Sequence, residues 1–424
     1  MMGNLCHAED ITVRYSGMKA KVQQQTKDSV LVTVDGANVN IESLYKDHKI
    51  TLLLTGQSDN GQLTLKTAGK AKVKLDNLTL TSQEGAPLCL KNKKKVEVVA
   101  VKGTKNTLAI TACNDTANNK AATIWAKDKL LLSGKGTLHI VATGDGCRGI
   151  KTKKDVTIEE LTLIVTTSGN NLVEKPFGFG GGFPPFGNDS IKPGGFPKPD
   201  FGGGFPPFVN DSTKSDFGGG FPGKHKYVAS TKGIASKGKI TINSGNVTVR
   251  TSTPGADGIE GKEGIAFNGG RVDILSPDDA INANATIEFN GAEVIARSTG
   301  NDAVDANPAG GFFPPFGGNG DQAVEPVIII TGGTVYAWSQ VGAPEEGLDC
   351  DFAPLAILNV VKDEPINIYD GEGKLIDSVT IPFSIRQSAS IVSNPRFKVG
   401  GSYSVRTKDY ERAFTISQQF TTVR

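Results

Sequence analysis

The sequence predicts an all-β protein, a right-handed parallel β-helix (a β-solenoid of about ten rungs) with a small C-terminal β cap or domain. Three observations predict it. The second half repeats with a period of about 22 to 25 residues, its segments alternate apolar and polar residues over stretches too short for helices, and Asn-Gly or Gly-Gly marks the joints.

The repeat reads KITINSGNVTVRTSTPGADGIEGKE at 239–263, GIAFNGGRVDILSPDDAINANA at 264–285, TIEFNGAEVIARSTGNDAVDANP at 286–308 and VIIITGGTVYAWSQVGAPEEGLDCD at 327–351. Ile240, Ile265, Ile287 and Ile328 begin equivalent strands, while Ile259, Ile281, Val304 and Leu348 mark a later corner. Val247, Val272, Val294 and Val335 form an inward column, with Val249, Ile274, Ala296 and Ala337 beside it. A unit of two or three short strands cannot bury its apolar row alone, so the units stack, each bonding to the rung above and below. Earlier units, such as KVKLDNLTL, KLLLSGKGTLHI and DVTIEELTLIV, are less regular. Ten rungs at about 4.8 Å make a rod of roughly 48 Å. The rival fold is an antiparallel meander, but hairpins would reverse every second unit and break the fixed period.

These signals divide the chain into an N-terminal segment and cap at 1–23, the solenoid at 24–354 and a C-terminal β cap or domain at 355–424. Gly, Phe and Pro repeats at 174–226 and 310–318 read as surface inserts, because Gly and Pro disfavour regular structure. No run of about 18 apolar residues occurs, so no membrane insertion is expected. The first eight residues, MMGNLCHA, end in small residues and read either as the tail of a signal peptide, the basis for expecting a secreted or cell-envelope protein, or as an ordinary disordered N-terminus.

The formal net charge of +2 averages two opposed regions: between Asp257 and Asp351 there are sixteen acidic residues and three basic ones. Near-neutrality argues against a nucleic-acid partner. The five cysteines lack paired spacing and read as small apolar fillers, and no HExxH, Walker or GxSxG pattern occurs. Metallohydrolase, nucleotidase and serine hydrolase chemistry is therefore disfavoured.

Aligning the units on the corner hydrophobe places Asp257, Asp279, Asp302 and Glu346 two residues before it, and Glu260, Asn282, Asp305 and Asp349 one residue after it. Like charges about 5 Å apart at an effective dielectric near 20 repel by roughly 3 kcal/mol, so a counter-ion is expected. Ca²⁺ suits the spacing, since it takes oxygens at about 2.3–2.6 Å and two rungs can share one ion. Asp278, Glu263 and Glu345 are further candidate ligands. The competing reading is that Asp and Asn favour tight corners for their own backbone bonds. In earlier rungs the columns change sign, with Arg148 and Lys232 in the first and Lys151 in the second.

A second constellation faces outward. Arg250, Arg297 and Trp338 share one column and Tyr336 stands beside Trp338, an arrangement suited to a pyranose ring bearing a carboxylate. Packing of Trp338 beneath the inserts or the C-terminal cap is the alternative.

Together with the Gly-Thr-Lys-Asn-Thr-Leu segment at Gly103 to Leu108, the Ser-Gly-Lys-Gly-Thr-Leu segment at Ser133 to Leu138 and the Asp-Gly-Ile-like corners, these features resemble a family of bacterial carbohydrate-binding parallel β-helix proteins. That family is related in fold to polysaccharide lyases, and the resemblance covers roughly Val30 to Phe352. It implies Ca²⁺ along the helix and affinity for plant-type or acidic polysaccharide without established catalysis. The expected function is Ca²⁺-dependent binding of uronate-containing or plant cell-wall glycan. The enzyme alternative is a pectate-type lyase with Lys232, Lys262 or Arg297 as base, and a third reading is a surface adhesin or structural rod. Arg148-Gly149-Ile150 and Lys232-Gly233-Ile234 depart from the acidic corner pattern.

Overall fold

Alternation at period two puts one row of each short strand inside and the next outside. The computed structural model describes residues 8–24, 30–43, 49–114, 120–173, 227–306, 328–340, 348–350 and 353–423. These form an all-β protein with mostly parallel pairing and no helix among the described residues. The inserts at 174–226 and 310–318 and the N-terminal eight-residue segment up to residue 7 lie outside the described residues. The chain divides into two units, Met1–Leu172 with Val228–Arg424, and Val173–Tyr227.

The parallel strands run in three ladders. In the first, Val96–Ala100, Leu130–Ser133, Val156–Ile158, Ile240–Ile242 and Ile265–Phe267 succeed one another, followed by the first parts of Ile287–Ser298 and Ile328–Ser339. The second passes through Lys105–Ile110, Thr137–Ala142, Thr162–Thr167, Asn246–Thr251 and Arg271–Ser276, then the later parts of the same two long strands. The third holds Leu88–Leu90, Ala122–Ala126, Arg148–Thr152, Ile234–Ser236, Ile259–Gly261, Ile281–Ala283 and Val304–Ala306. Over 240–267 the chain visits them in that order and returns to the first one strand further along. Residues one repeat apart therefore become neighbours at the strand spacing of about 4.8 Å.

Val247, Val272, Val294 and Val335 pair in register and are buried, as are Val249, Ile274, Ala296 and Ala337. Each such burial stabilises the fold by about 1.5–3 kcal/mol for a Val- or Ile-sized side chain. Phe267 and Phe289, equivalent residues on adjacent rungs, stack with centroids 5.0 Å apart and planes 8° from parallel. Polar residues stack too: the Asn268 amide donates to Asn243 Oδ1 and the Asn290 amide to Asn268 Oδ1, both at 2.9 Å. The Asn-Gly joints thus bond from rung to rung. Gly245 completes one joint with φ at +95°, where a Cβ would lie 2.3 Å from the carbonyl oxygen of Leu161.

The last repeat departs from the expected register. Leu348 pairs with Ile328 and Asp349 with Ile329, so Leu348–Cys350 extends the first ladder instead of following Val304 in the third. Val335 to Trp338 pair antiparallel with Ser393 to Ser390, so both outer edges of Ile328–Ser339 are taken, one by Leu348–Cys350 and the other by this later strand.

Residues beyond 353 include a four-stranded antiparallel sheet of Pro365–Asp370, Leu375–Thr380, Ser402–Arg406 and Glu411–Thr415. Its apolar cluster, with Ile366, Ile368, Phe397 and Val405, takes in Ile295, Tyr336 and Trp338 from the parallel strands.

Close approach of rungs at the third ladder explains the small residue in each corner. At Gly258 a Cβ would lie 2.4 Å from Ile274 Cγ2 and 2.6 Å from the carbonyl oxygen of Ala280. Gly258→Ala is expected to destabilise the protein by about 1–3 kcal/mol through overpacking, read as a lower urea midpoint. An unchanged midpoint would contradict this packing.

Candidate functional site

The entry to the third ladder builds the site from backbone register. Gly149, Gly233, Gly258 and Ala280 donate their N–H groups to the carbonyls of Lys232, Asp257, Asp279 and Asp302, at 2.9 to 3.1 Å. One column thus reads Arg148, Lys232, Asp257, Asp279, Asp302. A second, one residue past the corner hydrophobe, reads Lys151, Ala235, Glu260, Asn282, Asp305. Ile234, Ile259, Ile281 and Val304 lie in the core between the columns. Positive residues therefore give way to negative ones along a single buried edge.

At the change of sign, Lys232 is the shared partner. Its ammonium donates to Asp257 Oδ2 at 2.5 Å and lies 2.9 Å from Glu260 Oε1, which also receives Lys262 at 2.6 Å. Burial opposes the charge on Lys232, but Asp257 and Glu260 outweigh it and raise the Lys232 pKa. Burial likewise opposes ionisation of Glu260, and Lys232, Lys262 and Arg148 together hold it below the usual carboxylate range. Asp257 fares differently because one ammonium serves two acids. Burial, countered by Lys232 and reinforced by Glu260 and Asp278, pushes its carboxyl up to about 7. On the positive side, burial followed by repulsion from Arg148 and Lys237 pushes Lys151 down to about 6.

Further along, acids outnumber cations. Asp279 is fully buried, with Oδ2 accepting from the Asn282 amide at 2.6 Å and Oδ1 from the Asp302 N–H at 3.2 Å. Asn282 also donates to Asp305 Oδ2 at 3.3 Å, so it bridges two acidic residues. Burial, then Asp257, Asp278 and Asp305, raise Asp279 well above the ordinary range. Asp257, Asp278 and Asp279 each offer one carboxylate oxygen within 4.8 Å of the others, as do Asp279, Asp302 and Asp305. Asp257 Oδ1 is buried without a hydrogen-bond partner. Oxygens at that separation match ligands on a hard divalent cation, for which Ca²⁺–oxygen distances are about 2.3–2.6 Å. A metal ion fits this donor set.

Of the residues expected to hold metal, Asp257, Asp279, Asp302 and Asp305 come together, and Asp278 joins them. Glu260 is instead engaged by two lysines. Glu346 lies outside the described residues, and Asp349 falls opposite Ile329 in the first ladder, away from the column of Glu260 and Asp305.

The expected sugar face does not form. Tyr336 and Trp338 are buried in the apolar cluster shared with residues beyond 353. The Tyr336 hydroxyl donates to Asp377 Oδ2 at 2.8 Å and accepts from the Asn394 amide at 3.0 Å. Arg250 and Arg297 both grip Asp273 Oδ1, Arg250 at 2.7 Å, and spend further donors on backbone carbonyls. Neither aromatic face is open to a pyranose. The column alignment contains Lys232 and Asn282, but only the structure reveals the first as a tether and the second as a bridge.

A family model described as a carbohydrate-binding domain-containing protein matches residues 35–175 and 221–306, which is more than half of the chain, and the chain belongs to that family. The match ends at Ala306 and so includes all five clustered aspartates from 257 to 305 named above. No curated protein and no solved structure matches it.

Without metal, Asp257 and Asp279 hold protons in the folded state that the unfolded chain releases near pH ~4. Their contribution to stability is present below that pH and is lost as pH rises toward about 7 for Asp257. In chelator, the urea midpoint of the native sequence should fall between about pH 4.5 and 7, and Asp279→Asn should flatten that fall. Parallel pH profiles for the two proteins would contradict the electrostatics described.

Proposed function

We propose that the chain is a right-handed parallel β-helix, of the kind found in polysaccharide lyases, that binds polysaccharide without cleaving it. Its ligand would be acidic, uronate-containing or plant cell-wall glycan, and its place outside the cell or in the envelope. The right hand follows the general preference of parallel crossover connections. Carbohydrate binding is supported by the family to which the chain belongs.

The observation that carries the calcium dependence is the buried pair of aspartate groups sharing Asp279, with Asp257 Oδ1 unpartnered beside it. Asp257, Asp278 and Asp279 would hold one Ca²⁺, and Asp279, Asp302 and Asp305 another. Bound there, Ca²⁺ supplies the positive charge that relieves carboxylate repulsion between rungs and fastens them together. Asn282 positions Asp279 and Asp305, and Lys232 neutralises the end of the row next to Arg148.

The residues weighed as lyase bases favour binding over catalysis. Lys232 is buried between two carboxylates, Lys262 pairs with Glu260, and Arg297 is held by Asp273. None stands free to take a proton from a substrate.

Metal-stripped protein should take up Ca²⁺ saturably, melt at a higher temperature when loaded and be retained on pectic or cellulosic polysaccharide more strongly than the stripped form. Asp279→Ala should abolish both the uptake and the shift in melting temperature. Equal melting and retention with and without millimolar Ca²⁺ would overturn calcium dependence.

A further inference from the structure

Charge along the turns from the third ladder back to the first is as ordered as that in the acidic corner, and of opposite sign. Strand register aligns Leu65, Leu90, Ala126, Thr152, Ser236 and Gly261. Each is followed by lysine: Lys66, Lys91, Lys127, Lys153, Lys237 and Lys262. Backbone bonds confirm the stacking, since the N–H groups of Lys91, Lys127, Lys153, Lys237 and Lys262 donate to Leu65, Leu90, Ala126, Thr152 and Ser236. All six lysines are exposed.

A second row runs beside it. The residues preceding Ala71, Val96, Leu130 and Ile240 are Lys70, Lys95, Lys129 and Lys239, brought into line by the first ladder, with Asp155 interrupting the row. Within turns 66–70, 91–95, 127–129, 153–155, 237–239 and 262–264 there are thirteen lysines against three acidic residues. Some are paired, as Lys66 is with Glu42 and Lys129 with Asp155. Among the described residues, Lys91, Lys127 and Lys237 have no carboxylate partner. Stacked like charges repel without improving the packing of the rod, so an anionic partner would relieve a cost that the fold itself does not explain.

We propose that this lysine edge is the surface on which a linear polyuronate docks, the carboxylates of successive sugars lying along the rows. The assignment rests on reading the chain as binding uronate-containing glycan, and adds to it the surface on which that glycan lies, apart from the aspartate corner. A straight row at the strand spacing of about 4.8 Å suits an extended polymer whose charge repeats at about the length of a pyranose ring. Duplex phosphates instead repeat about every 3.4 Å per strand along a helical path. Long, flexible lysines can adjust to carboxylates on alternating sides of the polymer, where rigid arginine forks would demand fixed geometry.

The test is calorimetry of the full chain with polygalacturonate in the presence of chelator, so that calcium at the aspartates cannot contribute, at low and high ionic strength. Lys127→Glu, Lys153→Glu and Lys237→Glu are combined in one variant, and Lys362→Glu, Lys374→Glu and Lys398→Glu, at exposed positions elsewhere, in a control of equal charge change. The native protein should bind with an affinity that falls steeply with salt, the edge variant should lose about tenfold or more, and the control should change by less than about threefold. Equal affinities of the two variants would overturn the lysine edge while leaving glycan binding in place. Absence of polygalacturonate and cellulose binding by the native protein, with or without Ca²⁺, would remove both readings. Equal affinity for duplex DNA of matched charge would overturn the glycan assignment in favour of general polyanion binding.

Discussion

In-register hydrogen bonding between rungs is the constraint on which everything else depends. It converts a repeat of about two dozen residues into columns, so each choice of side chain is felt by its equivalents at strand spacing. Apolar columns become a continuous core, exemplified by Val247, Val272, Val294 and Val335. Asparagine columns become polar ladders at the joints, as at Asn243, Asn268 and Asn290. Charged columns cannot be tolerated in the same passive way, because stacking places like charges at strand spacing, at greatest cost where they are also buried.

The molecule handles that problem differently in its two charged regions. At the buried corner, Lys232 stands where positive residues meet negative ones and is shared by Asp257 and Glu260. Asp279, two rungs from Lys232, relies on the amide of Asn282 and a backbone N–H, which leave its carboxyl raised by burial and by its acidic neighbours. Protons or a divalent cation can fill the remaining need, and the oxygen spacing suits a cation. At the exposed turns, water and salt screen the lysine rows instead. A buried acidic edge and an exposed basic one therefore coexist in a chain whose formal net charge is only +2.

Much of this was legible in the sequence because period and register are the same information in a repeat. Ile240, Ile265, Ile287 and Ile328 pair as their alignment implied, and so do Glu260, Asn282 and Asp305. Alignment failed where the repeat ends. Leu348 and Asp349 match the corner pattern in sequence, yet they pair with Ile328 and Ile329 in the first ladder, and the later part of the same long strand pairs antiparallel with Ser390 to Ser393. For Tyr336 and Trp338 the sequence offered both a sugar face and packing beneath the C-terminal segment, and the structure shows the packing. A strand pattern reveals that two side chains share an outward face, but what covers that face is decided by Asp377, Asn394 and the apolar residues around Phe397, some forty to sixty residues later. The cation at Lys232 was visible as a break in the acidic column, and only its distances to Asp257 and Glu260 reveal it as a tether.

If the aspartate groups hold cations, the charge reversal along the corner column should confine them to its acidic end. Anomalous diffraction from crystals soaked in a lanthanide, a heavy substitute for Ca²⁺, would locate them directly. Peaks are predicted among Asp257, Asp278 and Asp279 and among Asp279, Asp302 and Asp305, with none beside Arg148 or Lys151. Unoccupied aspartate groups, or lanthanide bound only at exposed carboxylates, would contradict it.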